Sequence, residues 1–157
     1  MRTFVGLGAN LGDAAAALDA AVLALSALPE TTLSARSKTY RSAPIDAQGP
    51  DYLNAVVELQ TALSAQALLH ELQHIENTFG RERPYLNAPR TLDLDLLLHG
   101  QSTVASADLT VPHPRLHQRA FVLLPLRELA PDLNIPLQGK LNDLLPSVAN
   151  QRIAVCE

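Results

Sequence analysis

Two aspartates stand at alternate positions of the leucine-rich segment Arg-Thr-Leu-Asp-Leu-Asp-Leu-Leu-Leu, residues 90–98. Because successive side chains of a β-strand point to opposite faces, Asp93 and Asp95 would project from the same side of an extended segment. Like charges this close repel one another, and nearby apolar surface makes them costly to keep ionised. A divalent cation would neutralise them, and Mg²⁺ commonly takes one or two protein carboxylates and leaves its other positions to water and substrate phosphates. The alternative is an edge strand with one solvated face.

Arginine dominates the basic residues around this pair. Ten of the twelve basic residues are arginine, and arginine makes two-pronged contacts with phosphate that lysine cannot. Segment 80–90 holds three arginines and two prolines and leads directly into the aspartates, so we predict a basic loop that closes over a charged substrate. The alternative is a connection whose arginines only keep it soluble. Five arginines lie near the pair in sequence: Arg81, Arg83, Arg90, Arg115 and Arg119.

A second pair of residues, Tyr52 and Asn54, could recognise a flat ring. In segment 52–59, mostly apolar side chains alternate with a second set that includes Asn54 and Glu58. This pattern predicts a strand with Tyr52 and Asn54 on one face. A stacking ring beside an amide could grip a heterocycle, because the amide offers both a donor and an acceptor to the ring edge. The alternative is ordinary packing of Tyr52 and a turn contact of Asn54.

A histidine held between two prolines, His113, follows the acidic segment. Arg115 and Arg119 would lie one turn apart on a helix that we predict to begin here. His113 and Arg119 could therefore converge on phosphate oxygens.

The N-terminal stretch resembles a nucleotide-binding glycine motif but does not complete it. After Gly6 and Gly8, the third glycine of a G-x-G-x-x-G pattern would fall at Leu11, and no P-loop sequence occurs in the chain. We predict a short strand that runs into a glycine-containing turn, with Asp13 capping the next helix. Asn10 could offer its side-chain amide to a ligand.

The remaining pattern predicts alternating helices and strands. Apolar residues at helical spacing predict helices over 14–28, which ends before Pro29, and over 65–79, which Ser64 caps and Gly80 ends. Period-two alternation predicts a strand over 31–40. Other predicted elements are a short strand at 103–105, helical packing at 121–126 interrupted by Pro125, a short helix at 141–145 and a strand at 153–155. The tail beyond Pro131 shows no site, and His70 and His74 lack the H-E-x-x-H zinc pattern and are predicted to be solvated.

Composition favours one globular domain over residues 1–157. The chain is 47% hydrophobic, and its formal net charge is −4 with a pI near 5.7, which argues against a nucleic-acid partner. No apolar run approaches the roughly 20 residues that cross a bilayer, so no membrane association is expected. A single cysteine, Cys156, and the absence of a signal-like N-terminus favour a cytoplasmic protein. We expect a monomer.

Six segments, taken together and in order, resemble the hydroxymethyl-dihydropterin pyrophosphokinase family of folate biosynthesis. None of them would suffice alone, but they cover nearly the whole chain up to the tail. They are Gly-Ala-Asn-Leu-Gly-Asp (8–13), Pro-Asp-Tyr-Leu-Asn-Ala (50–55), Gly-Arg-Glu-Arg (80–83), Pro-Arg-Thr-Leu-Asp-Leu-Asp (89–95), Val-Pro-His-Pro-Arg (111–115) and Arg-Ala-Phe (119–121).

The resemblance implies a fold, a reaction and a set of site residues. The fold would be a single α+β domain with a ferredoxin-like antiparallel sheet and flanking helices. The reaction would be pyrophosphate transfer from ATP to 6-hydroxymethyl-7,8-dihydropterin, with AMP released and two Mg²⁺ ions held by Asp93 and Asp95. The implied pterin-site residues are Ala43, Pro44, Ile45, Tyr52, Asn54 and Phe121, and the implied ATP-site residues are Gln73, Glu76, Arg81, Arg83, Arg90, His113 and Arg119. Arg81, Arg90 and Asp95 would act in catalysis.

The sequence departs from the family pattern in the basic loop. Asn87 stands where some relatives place a tryptophan over the pterin, which leaves Tyr85 as the candidate to replace it. Leu86 stands where a basic residue is common. A two-metal phosphohydrolase and a non-enzymatic nucleotide- or pterin-binding module remain the alternatives to the implied transferase.

Overall fold

A computed structural model of the chain describes residues 1–9, 13–42, 52–80 and 92–156. No helix among these residues is long and apolar enough to cross a membrane. The strands are β1 (Arg2–Ala9), β2 (Thr31–Arg36), β3 (Tyr40–Ser42), β4 (Tyr52–Thr61), β5 (Asp93–His99), β6 (Val104–Ala105), β7 (Thr110–Val111), β8 (Asn134–Ile135), β9 (Gly139–Lys140) and β10 (Ile153–Val155). The α-helices are α1 (Ala14–Ser26), α2 (Ala65–Gly80), α3 (Ala120–Leu129) and α4 (Leu141–Leu144), and 3₁₀ helices span Leu116–Gln118 and Leu145–Val148.

The main sheet is antiparallel throughout, in the order β10-β3-β4-β1-β5, and β2 also pairs with β4. The strand predicted over 31–40 is thus two strands on the same side of β4. The interruption falls at Ser37, whose N–H donates to the Val56 carbonyl at 2.9 Å and whose hydroxyl accepts from the Val56 N–H at 2.9 Å. These bonds replace the regular ladder between two pieces of one interrupted strand.

The two faces of the sheet pack against different helices. Val5 and Leu7 of β1 join α1 and α2 in one core, whereas Phe4 of the same strand joins α3, α4 and the tail in another. Strand alternation produces this division, because consecutive side chains of β1 enter opposite layers. Polar residues of the central strands interrupt the second layer at the end of the sheet where α3 begins, and this gap is where the candidate site lies.

The first two helices begin where the sequence predicts. The Asp13 carboxylate accepts a hydrogen bond from the Ala16 N–H at 3.0 Å, and the Ser64 hydroxyl accepts one from the Ala67 N–H at 3.1 Å. Helix α1 ends at Ser26, two residues earlier than predicted. Proline disfavours helical backbone in the residue that precedes it, so the helix ends before Pro29.

The prediction that an α-helix begins at Arg115 is wrong. A 3₁₀ helix covers Leu116–Gln118, and Arg119 then takes extended backbone (φ −126°, ψ 113°) before α3 starts at Ala120. Arg115 and Arg119 flank the short helix, so they do not lie one turn apart on the same α-helix. Pro125 lies buried inside α3 and does not interrupt it.

The tail covers the second layer. Its predicted strand at 153–155 is confirmed as β10, which pairs with β3 at the edge of the sheet. The predicted helix at 141–145 is shorter, because α4 ends at Leu144 and continues as a 3₁₀ helix. The predicted strand at 103–105 forms a two-stranded ladder between β6 and β7.

Glu128 ties the last turn of α3 to the edge of the sheet. Its carboxylate accepts hydrogen bonds from the Tyr40 hydroxyl at 2.8 Å and the Lys38 N–H at 2.9 Å. Burial, together with the hydrogen bond to Glu128 and the charge of Glu128, raises the pKa of Tyr40 to about 12, and the charge of Arg127 opposes this shift.

Tyr40→Phe is expected to reduce the free energy of unfolding at pH 8 by about 1.5 kcal/mol, because the substitution removes a hydrogen bond to a charged group. The phenol is more easily ionised in the unfolded chain, near pH 10, than in the folded protein. Its contribution to stability is therefore complete below pH 10 and is lost as the pH rises toward 12. Urea unfolding at pH 8, 10 and 11 should show a shrinking gap between variant and parent, and a constant gap would contradict this account.

Candidate active site

A cavity of about 230 Å³ opens on the second face of the sheet, at the start of α3. Residues from β1, β3, β4, β5 and α3, together with Arg119, line it. It brings together six residues that the sequence analysis singled out: Tyr52, Asn54, Asp93, Asp95, Arg119 and Phe121. The remaining lining residues are Gly6, Leu7, Gly8, Ser42, Ala55, Leu97 and Val122.

The two aspartates lie on the same face of β5, as their spacing predicts. In the register with β1, Asp95 is paired with Gly6 and Asp93 with Gly8. Since glycine carries no side chain, the Leu97 side chain can lie over Gly6 and the Asn54 amide over Gly8. The Asp95 side chain is 47% exposed.

The other face of β5 anchors the strand in the first core. The leucines that alternate with the aspartates are each at most 5% exposed, namely Leu92, Leu94 and Leu96. Glu76 of α2 adds a polar anchor, because its carboxylate accepts the Leu94 N–H at 2.8 Å. This bond fixes the backbone between the two acids.

The acid pair fits Mg²⁺ by its donor chemistry. Carboxylate oxygens are hard ligands, and Mg²⁺ takes few of them from a protein when substrate phosphates supply the rest. Among the described residues, no group of three or more His, Cys, Asp or Glu side chains could hold a metal ion. A pair on an open face is therefore suited to an ion that arrives with a phosphate ligand, and not to a closed structural site.

His113 lies beside the acid pair. Its Nε2 is 3.9 Å from Oδ1 of Asp95, and its Nδ1 accepts the Arg115 N–H at 3.2 Å. Burial lowers the pKa of His113, Asp95 opposes this, and Arg119 and Arg115 add to the lowering. The ring is consequently neutral near pH 7, with its proton on Nε2 and directed toward Asp95.

A polar and aromatic wall stands across the cavity. Asn54 is only 5% exposed, and its Oδ1 accepts the Ser42 hydroxyl at 2.7 Å. This bond orients the amide, so its NH₂ group remains the donor for a ligand. Tyr52 lies on the same face of β4, and Phe121 projects from α3 into the same cavity. The Arg119 guanidinium carbon lies 5.4 Å from the centre of the Phe121 ring, within cation–π range.

Gly8 sets the distance between β1 and the Asn54 amide. A Cβ atom at position 8 would lie 3.2 Å from Nδ2 of Asn54, closer than ordinary van der Waals contact. The absence of a side chain at Gly8 therefore leaves the amide in its present position.

Gly8→Ala is expected to raise KM for the ring-containing substrate about tenfold, because the added methyl group displaces the Asn54 amide by a few tenths of an ångström. Steady-state kinetics with each substrate varied in turn would measure this. KM for the second, anionic substrate and the melting temperature serve as internal controls and should change little. An equal rise in both KM values would contradict a local effect at Asn54.

Several predicted site residues lie elsewhere. Gln73 is exposed on α2 and does not line the cavity. Glu76 does not line it either, but its carboxylate accepts the backbone N–H of Leu94, which lies between the two acids. The following residues lie outside the described ranges: Asn10, Ala43, Pro44, Ile45, Arg81, Arg83 and Arg90.

The sequence alone does not predict the floor of the cavity. Its N-terminal pattern predicts a short strand followed by a glycine-containing turn without fixing the boundary between them, and Gly6 and Gly8 both lie within β1. The signal was present, because two glycines at i and i+2 in an apolar strand clear one face of side chains. Ser42 was also missed, and nothing in its neighbourhood distinguishes it from other serines.

These features describe a site for a small ligand, or pair of ligands, that carries both a flat ring and an anionic group. Comparison with known proteins agrees. The family model of 7,8-dihydro-6-hydroxymethylpterin-pyrophosphokinase (HPPK) matches residues 4–131. The chain therefore belongs to this family.

Named relatives are similar over most of their length. A Haemophilus influenzae protein named 2-amino-4-hydroxy-6-hydroxymethyldihydropteridine pyrophosphokinase is 42% identical, over 98% of this chain and 96% of its own. A Pseudomonas aeruginosa protein of the same name is 45% identical, over 92% of this chain and 90% of its own.

Solved structures resemble the fold. A crystal structure of an HPPK-DHPS in complex with substrates gives a TM-score of 0.69 at 13% identity over 93% of this chain. A Plasmodium falciparum HPPK-DHPS triple mutant with SDX-DHP gives 0.75 at 14% identity over 92% of this chain. The present chain spans less than half of those chains, 43% and 44%, and at this identity the likeness concerns the fold.

Proposed function

We propose that this chain transfers pyrophosphate from ATP to 6-hydroxymethyl-7,8-dihydropterin, forming the dihydropterin diphosphate and AMP in folate biosynthesis. The observation that carries the proposal is one cavity that joins an acid pair and Arg119 to the ring-binding residues Asn54 and Phe121. Membership of the family supports the same reaction.

The reaction needs placement and charge neutralisation more than covalent chemistry. The hydroxymethyl oxygen attacks the β-phosphorus of ATP, and the bond from that phosphorus to the oxygen bridging to the α-phosphorus breaks. AMP leaves with the bridging oxygen, and the hydroxyl proton is released. In such transfers, in-line positioning and stabilisation of charge on the phosphate oxygens supply most of the acceleration.

We assign Asp93 and Asp95 to two Mg²⁺ ions that enter with ATP. When bound, these ions neutralise charge on the phosphate oxygens. The protein contributes a strand that leucines and Glu76 hold in place, so that both carboxylates are presented on one open face.

Cationic and donor groups complete the phosphate site. Arg119 lines the cavity beside the acids, and the neutral His113 has its Nε2 3.9 Å from Oδ1 of Asp95. Family resemblance adds Arg81 and Arg90, with Arg83 in the basic loop. Resemblance also assigns Gln73 and Glu76 to the nucleotide pocket, and for Glu76 the bond to Leu94 suggests that the side chain acts by holding the acid strand.

The pterin would occupy the polar and aromatic wall. The Asn54 NH₂ group would donate to an acceptor on the ring edge, with the rings of Tyr52 and Phe121 available to stack. The backbone of Ala43, Pro44 and Ile45 would contact the same ring, as the resemblance implies, and we propose that the Asn10 amide also binds it. The hydroxyl proton has two candidate acceptors, the Asp95 carboxylate and water.

The finer features of the molecule are proposals of the same kind. With β2 and β3 counted as one interrupted strand, the main elements follow the order β-α-β-β-α-β, which supports the ferredoxin-like class. We propose one pyrophosphokinase domain over residues 1–157, acting as a cytoplasmic monomer on small-molecule substrates, with neither a nucleic-acid nor a membrane partner.

The test is incubation with ATP, Mg²⁺ and the hydroxymethyl-dihydropterin, with AMP measured as product. The proposal predicts AMP that depends on the pterin. Release of inorganic phosphate without AMP would indicate a phosphohydrolase, and binding of pterin with a nonhydrolysable ATP analogue, but no turnover of ATP, would indicate a binding module.

A further inference from the structure

The start of α3 lacks the side-chain cap that helices usually have. Serine, threonine, aspartate and asparagine are common at this position because their oxygens accept free backbone N–H groups. Here the capping position is Arg119, which has extended backbone and no side-chain capping bond. An arginine has no acceptor to offer to any of these N–H groups, and one of them, the first N–H of α3, is satisfied by another residue.

Gln151 from the tail satisfies it. The Gln151 Oε1 accepts the Ala120 N–H at 2.9 Å, and the Gln151 NH₂ group donates to the Gln118 carbonyl at 2.8 Å. Ala120 and Gln118 are the two neighbours of Arg119 in the chain. A single amide therefore fixes the backbone on both sides of the residue whose side chain lines the cavity.

The backbone of Gln151 is itself fixed by a hydrogen bond. The Gln151 N–H donates to the carbonyl of Val148 at 3.0 Å, and Val148 is buried in the second core. Two residues later, Ile153 enters β10 and pairs with Ser42, the residue that orients Asn54. The two side-chain bonds of Gln151 to Ala120 and Gln118, which we call the Gln151 clamp, thus lie between a buried core residue and a strand of the sheet.

We propose that Gln151 is a positioning residue that sets Arg119 and Phe121 for substrate binding and transfer. This inference rests on the proposed function and extends it to the tail, beyond the matched residues 4–131. Arg119 has extended backbone and lines the cavity, and its side chain takes no part in capping while Gln151 satisfies the first N–H of α3. Displacements of about 1 Å at such a site can cost up to about 10²-fold in rate.

The first test compares Gln151→Ala, Gln151→Glu and the control Asn150→Ala, which alters an exposed neighbour in the same turn. Gln151→Ala should lower kcat/KM about tenfold. Gln151→Glu keeps the acceptor for Ala120 but cannot donate to Gln118, so it should recover part of the loss. The control should remain within about twofold of the parent. A kcat/KM for Gln151→Ala equal to that of the control would overturn the proposal.

The second test asks whether Gln151 acts through Arg119. In a double-mutant cycle, Gln151→Ala should cost about tenfold in the parent but less than about threefold in an Arg119→Ala background, because the positioned side chain is already gone. A merely structural role predicts the same loss in both backgrounds. Equal losses would therefore overturn the proposal.

A third measurement does not depend on turnover. Amide hydrogen exchange at Ala120 should be faster in Gln151→Ala than in the parent, and unchanged in Asn150→Ala. An unchanged rate at Ala120 would refute the clamp. If the parent itself forms no AMP, the proposed function fails, whereas the clamp is still decided by exchange at Ala120 and by the Arg119 Nε–H signal in NMR spectra, which should shift in Gln151→Ala and not in Asn150→Ala.

Discussion

Asp95→Asn is expected to lower kcat for AMP formation on the order of 10³-fold, the loss typical of removing one preorganised charge-stabilising group. The substitution keeps the size of the side chain and an oxygen on the side of His113, whose Nε2 lies 3.9 Å from Oδ1 of Asp95. What it removes is a negative charge on the open face of β5, where we place Mg²⁺ and the ATP phosphates. The rate should fall while the fold is retained, as judged by circular dichroism and melting temperature.

The matched control is Asp132→Asn, which removes the same charge at an exposed position outside the cavity. It should leave kcat within about twofold of the parent. Comparable losses in both variants would mean that net charge matters and not the position of Asp95. A fully active Asp95→Asn variant would remove Asp95 from the machinery.

Asn54→Leu is expected to raise KM for the pterin by about 10² to 10³-fold, with a much smaller effect on KM for ATP. Leucine has the same branched arrangement of heavy atoms as asparagine, although its methyl groups are larger, and it can neither donate to the ring edge nor accept from the Ser42 hydroxyl. A site that is built to hydrogen-bond its substrate loses strongly when those bonds cannot form. Steady-state kinetics with each substrate varied separately would separate the two effects.

Gln60→Leu provides the comparison for Asn54→Leu. It exchanges an amide for leucine on the same strand, β4, at an exposed position away from the cavity. Pterin KM should then be unchanged within about twofold. If both variants weakened pterin binding equally, the effect would lie in β4 as a whole and not in the Asn54 amide.

The part of the site that the sequence predicts well is local in the chain. Asp93 and Asp95 share a face because a strand has a period of two, and the leucines that alternate with them are buried for the same reason. Tyr52 and Asn54 line the same cavity because the same rule puts them on one face of β4. These outcomes need only the correct assignment of a strand.

The part that the sequence predicts poorly depends on contacts between distant segments. Arg119 was expected on a helix, yet its extended backbone is held by Gln151, which lies 31 and 33 residues from its two bonding partners. The periodicity of apolar residues along the chain cannot predict a hydrogen bond between segments this far apart. The tail was predicted to carry no site for the same reason, since its contribution is to hold the start of α3.

The glycines of β1 illustrate a third limit. Glycine is common in turns, so the glycines near the N-terminus predict a turn but do not show that Gly8 belongs to the strand before it. Its role appears only when the register places it between Asn54 and Asp93, where the lack of a side chain leaves space for the cavity. Register across three strands is a tertiary property that a linear pattern does not contain.

In the proposed reaction, two phosphates of ATP pass together to a pterin hydroxyl. The most direct test uses ATP labelled with ³²P at the β-phosphorus, with Mg²⁺ and 6-hydroxymethyl-7,8-dihydropterin, followed by chromatographic separation of the products. The account predicts that the label is recovered in the pterin diphosphate, with one unlabelled AMP formed for each labelled product. Label recovered in ADP or in inorganic phosphate, with the pterin unlabelled, would contradict it.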